Sequence, residues 1–366
     1  MIKKIMVFKI PHRPFVYLVI PLLFFAVTGF LYTKGMIGGE KQTSGLIPSA
    51  VPALPLAVPG ISCDSCVADF AIYDPSVEDD GVWEEEVTAV KAMLDAFGFT
   101  YQVVTARDIN NGFLGTGETR KFRALIEPGG WAYTRITAMT PQGEQSLQDF
   151  VRSGGNYIGF CAGAYAAADR LMFAEQASGN KGTYNRSSDY QDYSSFYTLD
   201  LFSYGTVKGP FGWVPWDPTQ AGYDIAKINQ ENETMKTIGL PSLTRFFYAG
   251  GPFFEVTNPP KDYEVWAVAQ APEGVSSEAS IGQGKPTIIR YSLGEGAVIL
   301  FSYHPEILIG DDRDNVTLKT YYNEKTLSWE KGDQTQEEIN VASWNIVHAA
   351  LQLSTDREVT PLLALP

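Results

Sequence analysis

A cysteine framed by glycines and a histidine two residues before a glutamate are the side chains of this sequence best placed to do chemistry. Cys161 stands in Gly159-Phe160-Cys161-Ala162-Gly163. A nucleophile lifted clear of a sheet on a tight strand-to-helix turn needs small neighbours, and glycines two residues before and after it meet that need. At a helix N-terminus the dipole and free N–H groups favour a thiolate, and the N–H of Ala162 can face an oxyanion. A buried structural cysteine is the competing reading of the same five residues. The run Gly296 to Tyr303 reads as a buried strand, and it ends in His304-Pro305-Glu306. Residues two apart on a strand face the same side, so His304 is placed as the base and Glu306 as the carboxylate that orients it, a Cys-His-Glu relay. The chain has three histidines. His12 precedes an apolar N-terminal segment and His348 falls in a predicted C-terminal helix, which leaves His304 as the partner for Cys161.

The elements that must position these groups are legible upstream. Asp69 to Tyr73 reads as a short strand, and Glu84 to Phe97 spaces Val87, Val90, Met93, Leu94 and Phe97 as a helical stripe closed by Gly98. Tyr101 to Thr105 and Phe122 to Glu127 are the next strands. The latter runs into Pro128-Gly129-Gly130, a turn whose N–H groups at Gly129 and Gly130 can form the other half of an oxyanion hole, or which simply turns the chain. Pro141 to Arg152 is a helix and Asn156 to Phe160 the strand that enters the elbow. Strands alternating with helices predict a mostly parallel sheet with its ligand site at the strands' C-terminal ends.

A cysteine elbow followed far downstream by a strand ending in His-Pro-Glu resembles the class I glutamine amidotransferase-like superfamily. More narrowly, four features look similar to the N-terminal, amidotransferase-like domain of biotin-protein ligases: Gly159 to Tyr165, Pro128-Gly129-Gly130, Leu199-Asp200-Leu201-Phe202 leading to Gly209-Pro210, and Tyr248 to Pro252. The likeness runs over about residues 69 to 350. The resemblance implies a flavodoxin-like, doubly wound α/β fold in which Cys161 is the nucleophile and an amide or related acyl substrate, small-molecule or peptide, is hydrolysed through a thioester. Glutamine-hydrolysing members usually carry Gln two residues after the second elbow glycine. Here that place is Tyr165, a feature shared with the biotin-ligase-like branch and one that moves the expected chemistry away from glutamine hydrolysis. The alternative function is a binding module on the same fold without turnover.

Between the elbow and His304 the chain is richer in turns and aromatics than in helical periodicity, with ten aromatic residues from Tyr184 to Trp216. They read either as β-hairpins packed on the core or as an aromatic wall over a pocket. With 28 basic against 42 acidic residues the net charge is −14, the wrong sign for nucleic acid. Glu78-Asp79-Asp80 and Glu84-Glu85-Glu86 suit a helix start, and Asp311-Asp312-Arg313-Asp314 reads as a solvated loop lacking the glycine and glutamate of a calcium loop. No metal or cofactor is expected.

Pro14 to Tyr32 is nineteen residues without a charge, preceded by Lys3, Lys4, Lys9 and Arg13. That pattern predicts a signal-anchor helix with residues 1–13 in the cytoplasm and the main domain extracytoplasmic or lumenal; secretion after signal cleavage is the rival. Residues 33–68 form a Gly/Pro/Ser-rich tether before an α/β domain at 69–366. Cys63 and Cys66 at its end predict a local disulfide, leaving Cys161 free. Three N-x-S/T sequons, at Asn185, Asn232 and Asn315, suit lumenal exposure.

Overall fold

The computed structural model describes residues 63, 65–74, 83–130, 132, 137–174, 187–195, 198–213, 222–271, 273–277, 280–308, 310–316 and 334–366. The apolar segment 14–32, nearly all of the tether, Asn185 and the acidic cluster at 78–80 lie outside these residues. Among the described residues no helix is long and apolar enough to cross a membrane.

The first half of the domain alternates strand and helix: β1 (Phe70–Tyr73), α1 (Glu84–Ala96), β2 (Tyr101–Val104), α2 (Ala106–Asn110), β3 (Ala124–Glu127), α3 (Pro141–Arg152), β4 (Asn156–Phe160) and α4 (Ala162–Ala166). Their starts follow from local chemistry. Thr105 and Asp108 cap α2 reciprocally, and Thr140 accepts from the Gly143 N–H ahead of Pro141 in the first turn of α3. The chain continues through β5 (Leu171–Ala174), β6 (Tyr190–Asp192), β7 (Gly205–Gly209), β8 (Gly222–Ile228), α5 (Glu233–Ile238), β9 (Leu243–Tyr248), β10 (Phe253–Val256), β11 (Glu264–Gln270), β12 (Pro286–Leu293) and β13 (Gly296–Phe301). It closes with α6 (Gln336–Ser354), started by a Thr335/Glu338 capping box.

Nine strands form one sheet in the order β2-β1-β3-β4-β13-β12-β11-β8-β9. The expected mostly parallel sheet holds only in part. β2, β1, β3, β4 and β13 run parallel, whereas β13, β12, β11, β8 and β9 pair antiparallel. The reason is in the connections: parallel neighbours need a crossover such as α1 or α3, and the helix-poor chain after α4 has hairpins such as β12–β13 instead. A second sheet of four strands, β10-β7-β5-β6, is built from the same later region.

Along the central strands side chains alternate between two buried layers. Phe70, Ile72, Ile126, Ile158, Phe160 and Phe301 face one core with Trp344 of α6, while Ala71, Tyr73, Leu125, Tyr157, Val298 and Leu300 face the other with α3 residues Leu147 and Phe150. Burial on both faces accounts for their near-continuous apolar runs. Of the aromatic stretch, Tyr190, Phe202, Phe211 and Trp213 are core residues, and Phe211 stacks on Tyr248 with centroids 4.4 Å apart. Tyr184, Phe196, Tyr197 and Trp216 lie outside the described residues.

The acidic run at 311–314 is the solvated loop its charge suggests only in part, with Asp312 and Arg313 exposed. Asp314 is buried and accepts the N–H groups of Leu308 at 2.6 Å and Val316 at 2.9 Å, and Asp311 is held by Arg313. Short acidic side chains close turns by taking backbone donors, a use that charge counting misses.

Candidate functional site

The pairing of β4 with β13 places the elbow. Phe160 is in register with Phe301, and the Cys161 N–H donates to the Phe301 carbonyl at 2.9 Å, so the end of one strand lies beside the run into His304. Cys161 itself has φ 44° and ψ −98°, a conformation that a side chain rarely adopts and that a packed turn must enforce. The flanking glycines show how. A Cβ on Gly163 would come 2.3 Å from the Glu127 carbonyl oxygen, and one on Gly159 would come 2.7 Å from the Gly163 carbonyl carbon. The start of α4 is therefore pressed onto the end of β3, beside the Pro128-Gly129-Gly130 turn, and Tyr157 fixes it by donating its hydroxyl to the Gly163 carbonyl at 2.7 Å. Gly163→Ala is accordingly expected to lower stability by about 2 kcal/mol through overpacking against backbone that cannot rotate away. A urea midpoint within error of wild type would contradict it.

His304 is 1% exposed, with its backbone N–H on the Phe247 carbonyl and its ring near those of Trp83 and Phe247. Its Nδ1 hydrogen-bonds Glu306 Oε1 at 3.2 Å. A second carboxylate stands at the same nitrogen: Glu86 Oε1 lies 3.0 Å away, on a line that makes no hydrogen bond. Nε2 is buried with no hydrogen-bond partner. Burial alone would lower the basicity of His304, but the charges of Glu86 and Cys161, with the hydrogen bond to Glu306, outweigh it and hold the imidazole well above the usual histidine range. Burial pushes the Glu306 carboxyl up to about 7 against the opposing pull of His304. Glu86, His304 and Glu306 place three potential metal-ligand atoms within 4.8 Å of one another, a cluster the sequence reading did not foresee. Both carboxylate contacts fall on one nitrogen: Glu306 takes the Nδ1 proton, and Glu86 faces the same nitrogen as an opposing charge.

The loop after β9 closes the other side through three successive carbonyls. Cys161 Sγ donates to Ala249 O at 3.8 Å, the Tyr165 hydroxyl donates to Gly250 O at 2.9 Å, and the Tyr248 hydroxyl donates to Gly251 O at 2.8 Å. Tyr165 thus sits buried beneath the elbow with its hydroxyl occupied, and burial holds that hydroxyl well above the usual tyrosine range. Gly209 gives it room, since a Cβ there would lie 2.0 Å from the Tyr165 oxygen.

The structure brings Cys161, His304, Glu306, Ala162 and Tyr165 into one neighbourhood. Gly130 has φ 128°, open to glycine, and Gly129 packs so closely on Glu86 that a Cβ would come 2.1 Å from its carboxylate. Cys63 and Cys66 form a disulfide with S–S 2.07 Å, away from Cys161, which is free. Asn232 caps α5 and donates its amide nitrogen to Glu264 at 2.8 Å, so that nitrogen is already used by the fold; Asn315 is exposed. Sequence reasoning missed Glu86, treating it as one of three acids at a helix start. The available signal was its spacing: it precedes Val90 by four residues and Met93 by seven, which puts a carboxylate on the buried stripe.

Comparison with known proteins gives a family. No curated protein matches the chain in sequence. Among solved structures, a ThuA-like protein from Bacteroides uniformis ATCC 8492 is 15% identical, with TM-score 0.38, over 70% of this chain and 91% of that one. One from Parabacteroides merdae ATCC 43184 is 13% identical, with TM-score 0.37, over 64% and 78%. A beta-galactosidase from Bacillus circulans sp. alkalophilus is 13% identical, with TM-score 0.36, over 65% of this chain and 28% of its own. The family described as "Biotin-protein ligase, N terminal" matches residues 79–362, which takes in α1, the elbow, the His304 turn and α6. By that match the chain belongs to the biotin-protein ligase N-terminal family.

Proposed function

We propose that the chain is a cysteine-dependent amide hydrolase of amidotransferase-like type, built on a flavodoxin-like core. The observation that carries this reading is the buried Nε2 of His304, left without a hydrogen-bond partner beside Cys161 while two carboxylates hold Nδ1. In the proposed reaction the Cys161 thiol gives its proton to Nε2 and its sulfur attacks the acyl carbon, moving the carbonyl pair onto oxygen. N–H groups near Gly130 and Ala162 receive the oxyanion. The carbonyl re-forms as the C–N bond breaks, and Nε2 returns the proton to the leaving nitrogen. Water then gives a proton to Nε2 and attacks the thioester; the C–S bond breaks, the acid leaves and the proton returns to sulfur.

The substrate is a small-molecule or peptide amide, and the chain works next to a membrane, anchored by residues 14–32 with the domain extracytoplasmic. A second reading, a ligand-binding module without turnover, is favoured by Tyr165, whose hydroxyl is taken up by Gly250 in the region where glutamine-hydrolysing relatives hold their substrate. Active-site labelling separates the two. A chloroketone or diazo-ketone amide analogue is expected to modify Cys161 far faster than a free thiol, and Cys161→Ala to abolish both labelling and hydrolysis across an amide panel. Labelling at the free-thiol rate, with hydrolysis unchanged in Cys161→Ala, sinks the enzyme reading. Protease protection in sealed vesicles tests the topology, and cleavage from the cytoplasmic face would overturn it.

A further inference from the structure

Glu86 has a position that packing does not explain. It is 0% exposed on α1, both carboxylate oxygens lack a hydrogen-bond donor, and its one polar contact is His304 Nδ1 at 3.0 Å. A carboxylate buried without donors is held only against a positive charge. The neighbouring turn is shaped to admit it, because a side chain on Gly129 would overlap the carboxylate at 2.1 to 2.5 Å. Glu306 already accepts the single Nδ1–H, so Glu86 is redundant as an acceptor and is useful only as charge.

We propose that Glu86 is a positioning residue that favours His304 as the imidazolium of a thiolate pair: Glu306 takes the Nδ1–H, Glu86 supplies the opposing charge, and this Glu-His-Glu clamp holds on Nε2 the proton that Cys161 gives up. The titratable groups facing His304 are Glu86 from α1, Glu306 from its own turn and Cys161 from the elbow, and the nearby rings of Trp83 and Phe247 carry no charge. One carboxylate in the relay would orient the ring. Two, with no other cation against them among the described residues, bias its protonation as well. The catalytic consequence rests on the reading of Cys161 as a nucleophile; the charge state of His304 does not.

Nuclear magnetic resonance of the full chain labelled with 15N-histidine reads that charge directly, since only three histidines contribute and His304→Gln assigns the signal. Wild-type His304 is expected to titrate well above an ordinary histidine, and Glu86→Gln to lower its midpoint by about one to three pH units. Glu306→Gln is expected to change the Nδ1 signal while leaving the ring partly charged. Where Glu86→Gln does not fold, Glu86→Asp, which keeps the charge but withdraws it by one methylene, is expected to lower the midpoint by less. An unchanged midpoint in whichever of the two folds overturns the clamp. So does a stoichiometric divalent metal in the purified wild type that the Glu86 variant lacks, which would make the carboxylates ligands. Failure of Cys161 to label would leave these midpoints standing and sink only the hydrolase.

Discussion

Replacing Trp344 by alanine is expected to remove about 3–5 kcal/mol of stability, the range for truncating a large buried aromatic. Trp344 is fully buried in the middle of α6, packs edge-on against Phe97 with centroids 5.4 Å apart, and donates its indole N–H to the Glu306 carbonyl at 3.1 Å. The helix therefore does two things at once: it covers one face of the sheet and it pins the turn that carries His304 and Glu306. Alanine leaves a cavity between α1 and α6 and a buried carbonyl without its donor. Trp344→Phe separates the two effects. It keeps most of the apolar contact and loses the hydrogen bond, with an expected cost of about 1–3 kcal/mol for the unpartnered carbonyl. Urea unfolding with an unchanged slope is the measurement. A cost below about 1 kcal/mol for the alanine variant would show that the site closes up without the indole.

What could be read in the sequence was whatever is enforced over short range. The elbow is a steric requirement of consecutive residues, and the close approaches at Gly159 and Gly163 are the reason those positions have no side chain. His304 and Glu306 do meet, though through the turn after β13, which ends at Phe301, and not by the strand periodicity expected, and β1 to β4 show themselves by alternating with α1 to α3. The later half is harder, because hairpin pairing depends on partners distant in sequence: nothing local in Gly222–Ile228 announces that it lies between β11 and β9. The same holds for the site. Glu86 reaches His304 only through the crossing of α1 over the sheet, and Ala249, Gly250 and Gly251 contribute carbonyls, which no residue type advertises. Asp314 shows the converse error, since its charge suggested solvent and its backbone partners bury it.

Between pH 5 and 8 the folded protein is expected to lose stability as pH rises, and Asp224→Asn to flatten that loss. Asp224 lies on β8, buried, with Oδ1 accepting the Trp213 indole N–H at 3.0 Å and Oδ2 without a partner. Burial pushes its carboxyl from 3.8 up to about 7, against the hydrogen bonds from Trp213 and the Ile225 backbone. The sign follows from proton counting. The folded state holds a proton here that the unfolded chain releases near 3.8, so the contribution is full below that value and is lost as pH climbs through about 7. Asp314, raised by burial to about 6, acts in the same direction. His348 opposes them. Burial and Arg357 lower it to about 4, so its contribution is full above 6.5 and is lost as pH falls toward 4. The balance places the stability maximum in mildly acidic solution. A buried carboxyl shifted by about three units is worth up to roughly 4 kcal/mol across its window, since each unit is about 1.4 kcal/mol. Asparagine keeps an acceptor for Trp213 and never ionises, but it places an amide N–H where Oδ2 has no partner, at a cost of about 1–3 kcal/mol. The variant's curve is therefore expected to be flatter than wild type's from pH 5 to 8 and to lie above it at pH 8. Curves that stay parallel across that range would mean that Asp224 does not titrate within it.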